Sequence, residues 1–237
     1  MKRVIIAGAS SGIGRELACL YARAGNRTGI TGRRIELLEE LKTEFPLNIL
    51  VKQHDITSEN GIQKLDELVS ELGGLDIIII SSGWGKQNPG LTPEIEKLTN
   101  DTNVRGYSDT AVWAYKYFAG QKSGHIACIS SIAGIRGIDV CPSYSASKAY
   151  QINHLEALRR KAKKEKKNII VTTIIPGFVD TVMAQGDFIF WKSPVEKAAK
   201  QIYNALEKRR KIVYITKRWR LIAWLLKILP GFLQERV

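Results

Sequence analysis

The chain opens with Arg3-Val4-Ile5-Ile6-Ala7-Gly8-Ala9-Ser10-Ser11-Gly12-Ile13-Gly14, an apolar run followed at once by a glycine-rich turn. The apolar run predicts a short buried strand, and residues 15–24 show a helical pattern. Strand, glycine turn and helix are the layout of a dinucleotide phosphate site, where phosphates meet the free N–H groups of the helix N-terminus. The glycines are spaced Gly-x3-Gly-x-Gly rather than Gly-x-Gly-x2-Gly, so this turn needs support from the rest of the chain.

The remainder of the chain alternates strand-like and helical patterns. Continuous apolar runs, such as residues 75–80 and 169–175, are typical of parallel strands that are covered on both faces. The length of 237 residues suits a single hydrophobic core. We therefore predict an α/β fold: a doubly wound, Rossmann-type parallel sheet of about seven strands with helices on both faces. One domain would span residues 1–216, and residues 217–237 would form its amphipathic C-terminal tail. The strands are expected near residues 3–8, 27–32, 49–54, 75–81, 124–130, 169–175 and 211–215.

Tyr144 and Lys148 lie four residues apart, and Ser131 lies thirteen residues before Tyr144. Four residues is about one helical turn, so both side chains can emerge on the same helix face. A free tyrosine has a pKa of about 10, and a nearby cation lowers that pKa by favouring the phenolate. A tyrosine adjusted in this way exchanges a proton with an alcohol or a carbonyl. Taken alone, such a pair is more often a chance arrangement on a helix surface, and the glycine turn makes it a candidate catalytic pair.

Together these residues resemble the short-chain dehydrogenase/reductase family, in its single-domain NADP-dependent form, from about Lys2 to Thr216. The resemblance implies that Ser131, Tyr144 and Lys148 are catalytic. It adds Asn103 as a fourth catalytic residue, which would sit in a helix and bind a water linking Lys148 to solvent. The alternative for Asn103 is an ordinary polar helix residue.

The resemblance also implies which residues bind the cofactor. The glycine turn would take the phosphates, and the segment from Pro176-Gly177 to Thr181 would hold the nicotinamide end. Asp55-Ile56 resembles the pair that contacts the adenine, although Asp55 could instead cap the helix that follows. The cofactor-binding residues expected on this basis are Gly8, Ser10, Ser11, Gly12, Ile13, Gly14, Arg33, Arg34, Asp55, Ile56, Gly83, Tyr144, Lys148, Pro176, Gly177, Val179 and Thr181.

One motif departs from the family pattern. After the fourth strand the family usually carries Asn-Asn-Ala-Gly, whereas this chain has Ile80-Ser81-Ser82-Gly83. Gly83 is kept, but a serine hydroxyl replaces only part of the hydrogen bonding of an asparagine that braces the sheet. We interpret the change as a subgroup marker and not as a loss of activity.

The choice of cofactor is predicted from the end of the second strand. An NAD site usually places an acid there to bind the ribose hydroxyls, whereas an NADP site places an arginine on the 2′-phosphate. This chain has Gly32 where the acid would be, followed by Arg33 and Arg34. A guanidinium matches a phosphate with paired hydrogen bonds, so we predict NADP (NADPH) with Arg33 as the better candidate. The alternative is that both arginines merely begin the next helix.

The resemblance implies hydride transfer between NADP(H) and a carbonyl or secondary alcohol substrate. Tyr144 would be the acid for reduction and the base for oxidation, Lys148 would lower its pKa and hold the ribose, and Ser131 would bind the substrate oxygen. Alternatives within this reading are a 3-oxoacyl reductase acting on a carrier-bound substrate and a catalytically silent NADP-binding regulator. A third is a membrane-surface scaffold with vestigial catalysis.

The segment between Gly177 and Lys192 usually covers the substrate in this family. Its aromatic residues Phe188, Phe190 and Trp191, with Trp84, indicate an apolar or aromatic substrate under a lid. The equal alternative is that these residues bury themselves against the core or a partner subunit.

Composition and charge limit the other classes of function that the chain can have. Three cysteines are too few for a disulfide framework, and three histidines show no metal-ligand spacing, so no metal is expected. Met1-Lys2-Arg3 leads directly into the first strand without room for a signal peptide, which predicts a cytoplasmic protein. The net charge is +13, yet no nucleic-acid motif accompanies the basic runs, so nucleic acid is not expected as a partner.

The C-terminal tail follows helical spacing through Leu221, Trp224, Leu225, Ile228 and Leu229. Its longest uncharged run is six residues, far short of the ~20 that a membrane span needs. A basic amphipathic helix with tryptophans can lie in a membrane interface or pack on its own domain or a second subunit. The family resemblance implies a homo-oligomer, a dimer or tetramer.

Overall fold

The structure, a computed structural model, describes residues 1–181 and 191–228. Strands and helices alternate through these ranges, as the sequence predicts. The strands are β1 Arg3–Ala7, β2 Arg27–Gly32, β3 Ile49–Gln53, β4 Ile77–Ile80, β5 Ser123–Ile129, β6 Asn168–Pro176 and β7 Ile212–Ile215. The helices are α1 Gly12–Arg23, α2 Ile35–Glu44, α3 Gly61–Leu72, α4 Pro93–Asn100, α5 Tyr107–Gln121, α6 Pro142–Lys164, α7 Val195–Glu207 and α8 Trp219–Ile228.

The sheet has seven strands in the order β3-β2-β1-β4-β5-β6-β7, and every neighbouring pair is parallel. The predicted doubly wound Rossmann-type sheet is confirmed. The chain winds outward from β1 to β3 and then outward from β4 to β7, so the direction reverses between β1 and β4. Ligands of open α/β sheets bind at the carboxyl ends of the strands beside this reversal.

Alternate residues of the central strands face two separate cores. Val4 and Ile6 pack with α1, α2 and α7, whereas Ile5 packs with α3, α5 and α6. Burial on both faces explains why these strands read as continuous apolar runs.

Two short turns interrupt the regular pattern next to the reversal. A π-helical turn, Asp101–Gly106, joins α4 to α5, and a 3-10 turn, Ile132–Ile135, follows β5. π-helical turns are rare and occur frequently at functional sites.

The last described element, α8, begins shortly after β7 and covers the first half of the predicted tail. Leu229, which the sequence assigns to the same helix, lies outside the described residues. Among residues 1–181 and 191–228, no helix has both the length and the apolar character needed to cross a membrane.

Candidate active site

The glycine turn lies where β1 passes into α1. Gly8 and Gly12 adopt positive φ angles of 91° and 58°, which favour glycine. A Cβ on Gly14 would lie 2.1 Å from the Gly8 carbonyl oxygen, so only glycine allows this close approach. The first turn of α1 holds no acidic residue, so its positive end faces the crevice uncompensated.

Ser81 and Ser82 occupy the place of the usual asparagines and brace the sheet through their backbone. The amides of both serines donate to the Ala7 carbonyl, at 2.8 and 2.7 Å. A Cβ on Gly8 would lie 2.5 Å from the Ser82 nitrogen, so the glycine turn and the end of β4 are packed against each other. The serines in place of the usual asparagines therefore leave the backbone contact between the ends of β1 and β4 intact.

Ser131, Tyr144 and Lys148 meet at the carboxyl end of β5. Tyr144 and Lys148 lie one turn apart on α6, and the Lys148 Nζ is 5.7 Å from the centroid of the Tyr144 ring. Ser131 is the extended residue between β5 and the 3-10 turn. Its hydroxyl accepts from the Ala133 amide at 3.1 Å and lies close enough to the Tyr144 phenol to act on its pKa. The neighbouring Ser130 donates instead to the Lys148 carbonyl at 2.9 Å, which separates the roles of the two serines.

The main cause of the pKa shifts of Tyr144 and Lys148 differs from the cause that the sequence predicts. Burial raises the pKa of the Tyr144 phenol, and the Ser131 hydroxyl acts against that rise. Burial likewise lowers the pKa of the Lys148 ammonium. The sequence expects Lys148 to lower the tyrosine pKa, whereas desolvation dominates in the structure because Lys148 is buried and Tyr144 is partly buried.

Lys148 is fixed by neutral acceptors. Its ammonium donates to the Ile129 carbonyl and to Gln151 Oε1, each at 3.1 Å. Gln151 is fully buried, and its Nε2 donates to the Asn103 carbonyl at 2.9 Å. Sequence reasoning missed Gln151, although its position three residues after Lys148 places it on the same helix face.

Asn103 lies in the π-helical turn and is fully buried. Its side chain accepts from the Trp84 amide at 2.9 Å and donates to the Trp84 carbonyl at 2.6 Å and to Ser147 Oγ at 3.0 Å. Its side chain therefore holds the loop after β4, and its backbone carbonyl faces Gln151. The water link implied by the family resemblance stays a prediction.

Two glycines of the loop after β4 let Tyr144, Lys148 and Asn103 pack closely. A Cβ on Gly83 would lie 3.4 Å from the Lys148 Nζ and 3.5 Å from Asn103 Oδ1. A Cβ on Gly85 would lie 2.4 Å from Cδ2 of Tyr144, so the tyrosine ring lies directly against this glycine. Gly85 is a second residue that sequence reasoning missed, because the contact is visible only in three dimensions.

The segment from Pro176 to Thr181 crosses from β6 to the glycine turn. The Gly177 amide donates to the Ile215 carbonyl at 2.7 Å, and Val179 is buried. The Thr181 methyl group would lie 3.2 Å from a Cβ on Gly12. The expected nicotinamide segment and the expected phosphate turn therefore line one crevice.

At the other end of the crevice, Arg34 contacts the glycine turn directly. One Arg34 nitrogen donates to Ser10 Oγ at 2.9 Å and to Ser11 Oγ at 2.8 Å. Arg33 is exposed, and its carbonyl accepts from Gln53. A Cβ on Gly32 would meet Ser10 at 3.5 Å, an ordinary contact that leaves room for a side chain.

Asp55 and Ile56 follow β3 at the same edge. Asp55 accepts from the amide and the hydroxyl of Thr57, at 2.9 and 2.8 Å, whereas α3 begins only at Gly61. Burial would raise the pKa of Asp55, but the Thr57 hydrogen bonds outweigh it and lower the pKa overall. Asp55 thus closes its own turn and does not cap α3.

The expected substrate segment is only partly described. Phe188 and Phe190 lie outside the described residues, whereas Trp191 lies on Arg218, with its ring centroid 4.9 Å from the guanidinium carbon. The two ends of the segment are joined, since the Asp180 amide donates to the Ser193 carbonyl at 2.9 Å. Within the ranges that are described, no group of acidic, histidine or cysteine residues is arranged to hold a metal ion.

The residues of the crevice fit a dinucleotide. Glycines at positive φ, a helix N-terminus without an acid and an arginine on two serines form a cradle for phosphates at one end. Gly8 of this cradle packs against Ser82, and the next residue, Gly83, lies beside Lys148, which connects the cradle with the tyrosine at the other end.

Comparisons with known proteins agree with this geometry. The family model described as short chain dehydrogenase matches residues 2–188. An oxidoreductase of Myxococcus xanthus (strain DK1622) is 35% identical over 188 residues, which cover 75% of this chain and 72% of that protein.

Solved structures share the fold at lower identity. A short-chain dehydrogenase/reductase from Burkholderia phymatum, in complex with NAD, superposes with a TM-score of 0.86 at 17% identity, covering 94% of this chain and 92% of that one. A short-chain dehydrogenase from Sphingobium yanoikuyae, in complex with NADPH, gives a TM-score of 0.80 at 20% identity, covering 98% and 97%. The family model and the Myxococcus relative show that this chain belongs to the short-chain dehydrogenase family of NAD(P)-dependent oxidoreductases.

Proposed function

We propose that this chain transfers a hydride between NADP(H) and a carbonyl/secondary alcohol pair, with an apolar substrate. The observation that carries the proposal is the meeting of three side chains at the end of β5. The Ser131 hydroxyl acts on the pKa of the Tyr144 phenol, and the Lys148 ammonium lies 5.7 Å from the phenol ring centroid.

Tyr144 is the proton donor in this mechanism. A phenol whose pKa is raised by burial is protonated at neutral pH, as reduction of a carbonyl requires. Tyr144 gives its proton to the substrate oxygen during reduction and takes it back during oxidation. Ser131 donates a hydrogen bond to the same oxygen and stabilises the charge that develops there.

Lys148 supplies a fixed positive charge beside the phenol. Its acceptors, the Ile129 carbonyl and Gln151 Oε1, are neutral, so no carboxylate cancels that charge within hydrogen-bond reach among the described residues. The ammonium therefore stabilises the phenolate that forms when Tyr144 has given up its proton.

A bound nicotinamide cofactor would supply the hydride for carbonyl reduction and would take it up in alcohol oxidation. Gly8 to Gly14 would hold its phosphates, Asp55-Ile56 its adenine, and Pro176 to Thr181 its nicotinamide end. The preference for NADP is supported by the lack of an acid at Gly32 and by the placement of Arg34 on Ser10 and Ser11. Arg33 and Arg34 are both exposed at this edge of the crevice, and their contributions are separable by substitution.

The apolar character of the substrate is supported by the tryptophans of the expected substrate surroundings. Trp84 follows Gly83, and the Asn103 side chain holds both its amide and its carbonyl. Trp191, in the expected substrate segment, is 45% exposed. A small hydrophobic carbonyl compound fits such surroundings.

We also propose that the chain is a homo-oligomer. The support is the family resemblance together with apolar side chains exposed on the outer faces of α5 and α6, Val112 and Tyr150. Sedimentation velocity over a concentration series checks this, and a monomer at every concentration would contradict it.

The enzymatic proposal is tested with a panel of apolar ketones and aldehydes, followed by NADPH consumption. Tyr144→Phe is expected to lower turnover by at least about 100-fold, because it removes the acid–base group. NADPH affinity should stay nearly unchanged. Tyr150→Phe, on the same helix but hydrogen-bonded to Ser108, is the matched control and should stay active. A Tyr144→Phe variant that remains active would refute the mechanism, and NADPH binding without turnover of any carbonyl would support the silent regulator.

A further inference from the structure

Helix α8 carries apolar residues on two sides, and the fold uses only one of them. Trp219 and Ala223 are 3% and 1% exposed, because they pack against the body of the protein. Leu221, Trp224, Leu225 and Ile228 are 71%, 63%, 46% and 54% exposed. Their spacing of three, one and three residues forms one stripe along the helix, which we call the outer stripe.

The outer stripe is held rigidly against the domain. A Cβ on Gly177 would lie 2.0 Å from the Trp219 ring, so the first turn of α8 is pressed onto the end of β6. At the other end, Arg136 donates to the Leu226 carbonyl at 2.8 Å and to the Lys227 carbonyl at 3.1 Å. The helix is therefore anchored at both ends with the outer stripe turned away from the core.

Positive charge lies along one edge of the outer stripe and just before the start of α8. Lys217, Arg218, Arg220 and Lys227 are exposed, and no acidic residue occurs between positions 208 and 228. None of these four cations forms an ion pair with a carboxylate in the described part of the chain. Exposed leucines and a tryptophan within a cationic border are the composition of helices that lie in the interface of an anionic bilayer.

We propose that α8 docks the enzyme on the surface of a membrane that contains anionic lipids. The outer stripe would enter the boundary between headgroups and acyl chains, and Lys217, Arg220 and Lys227 would meet lipid phosphates, whereas Arg218 lies on Trp191. A second copy of the chain fits this face less well. A two-fold contact places the same patch on both subunits, so four cations would oppose four cations without an intervening carboxylate.

The first experiment is vesicle flotation of the full-length chain. Vesicles of phosphatidylcholine alone are compared with vesicles of equal parts phosphatidylcholine and phosphatidylglycerol. We expect flotation with the anionic vesicles only, and its loss at high salt, because screening weakens the attraction to the surface. Equal binding to both kinds of vesicle, or binding to neither, would overturn the proposal.

Two variants test the two components of the surface. The triple change Lys217→Gln, Arg220→Gln and Lys227→Gln should weaken anionic vesicle binding by roughly 100-fold, since each basic residue near the surface contributes about fivefold. The control removes three exposed charges elsewhere, with Lys163→Gln, Lys164→Gln and Lys166→Gln at the end of α6, and should bind like the wild type. Equal losses in the two variants would show a general charge effect and refute a specific surface.

The apolar component is tested with Leu221→Ser and Leu225→Ser, which lie on the exposed side and leave the packing of Trp219 intact. We expect this variant to lose vesicle binding and to keep the circular dichroism spectrum, the sedimentation coefficient and the NADPH affinity of the wild type. The matched control is Leu47→Ser, at another exposed leucine. If the double variant instead dissociates an oligomer and still floats with vesicles, the outer stripe is a subunit interface and the proposal fails. Vesicle binding does not depend on turnover, so this result is independent of the proposed reaction.

Discussion

The Lys148 ammonium donates to Gln151 Oε1 at 3.1 Å, one turn along α6 and out of contact with water. The other end of the same amide donates to the Asn103 carbonyl at 2.9 Å, which fixes which amide atom faces the lysine. Because the acceptor is a neutral dipole, Gln151 stabilises the charged form of Lys148 without cancelling its charge. Gln151 therefore positions the cation that, in the proposed mechanism, stabilises the Tyr144 phenolate.

Replacing Gln151 tests this relationship. Gln151→Leu removes a hydrogen bond to a charged group, which contributes about 1.5–3 kcal/mol, so kcat for alcohol oxidation should fall roughly tenfold or more. The weaker cation should also raise the pKa of Tyr144 and move the rise of the oxidation rate to higher pH. The pH dependence of kcat over a wide range measures both effects.

A conservative variant and a control separate positioning from folding. Gln151→Glu keeps an oxygen acceptor beside Lys148 but cancels its charge and loses the donor to the Asn103 carbonyl, so it should not recover the lost rate. Gln121→Leu removes an amide that donates to the Leu75 and Ser123 carbonyls, far from the tyrosine, and should leave the pH profile unchanged. A folded Gln151→Leu protein with the wild-type pH profile would show that the amide only fills space.

The parallel sheet is predictable from the sequence because its strands are buried on both faces. Ile77–Ile80 reads as an uninterrupted apolar run, and burial of all four residues follows from its central position. The one-turn spacing of Tyr144 and Lys148 was also readable, since it depends only on helix geometry.

Other features depend on contacts between distant segments. Arg33 and Arg34 are adjacent in a short connection, and only the folded backbone decides which one reaches Ser10. The contact of Gly85 with the Tyr144 ring joins a loop to a helix that is far away in the sequence. The desolvation that raises the pKa of Tyr144 also depends on distant segments. The sequence shows the neighbouring charge but not how far the fold removes the phenol from water.

Cofactor choice is tested at the arginines. Arg34→Ala should weaken NADPH binding by about 10- to 100-fold, the range for loss of a charged hydrogen bond, and should leave NADH binding nearly unchanged. Arg33→Ala is the paired variant, and titration calorimetry with both cofactors measures each affinity. A larger loss in Arg33→Ala would assign the 2′-phosphate to Arg33. If neither change affects NADPH, the proposed NADP preference is wrong.

Gly32→Asp should shift the cofactor preference from NADPH towards NADH. The site accepts a side chain, since a Cβ there meets Ser10 at the ordinary distance of 3.5 Å. A carboxylate would repel a 2′-phosphate and accept hydrogen bonds from unmodified ribose hydroxyls. We expect the ratio of NADPH to NADH affinity to fall at least tenfold, an effect of about 1.4 kcal/mol. Gly32→Ala is the control for the added Cβ, and an unchanged ratio in Gly32→Asp would place the 2′ position elsewhere.

Ser131 is expected to influence the pKa of the Tyr144 phenol. Burial raises the pKa of Tyr144, and the Ser131 hydrogen bond lowers it, so Ser131→Ala should raise that pKa further. The shift is expected to be about 1–2 pH units, from the energy of a hydrogen bond to a charged group. The rise of alcohol oxidation with pH should move upward by this amount. Ser130→Ala is the control, because Ser130 donates to the Lys148 carbonyl, and a larger shift in that variant would exchange the two roles.

Two buried histidines should make the protein less stable in mild acid. His54 and His125 are buried, and desolvation lowers the pKa of each to about 4. His125 Nε2 lies 2.7 Å from Thr172 Oγ1, and that hydroxyl donates its proton to the Arg210 carbonyl. The histidine nitrogen must therefore be the donor, which fits a neutral ring.

The direction of this pH dependence follows from the number of protons that the folded and the unfolded states bind. Between pH 6.5, the ordinary value, and about 4, the unfolded chain binds protons that the folded chain does not, so the free energy of unfolding falls as pH falls. Each histidine contributes on the order of 3 kcal/mol over that window, and the loss ends below about pH 4. Urea unfolding of the wild type and of His125→Gln at several pH values measures the slope. The variant should show a shallower slope, whereas identical slopes would mean that His125 is already charged in the folded protein.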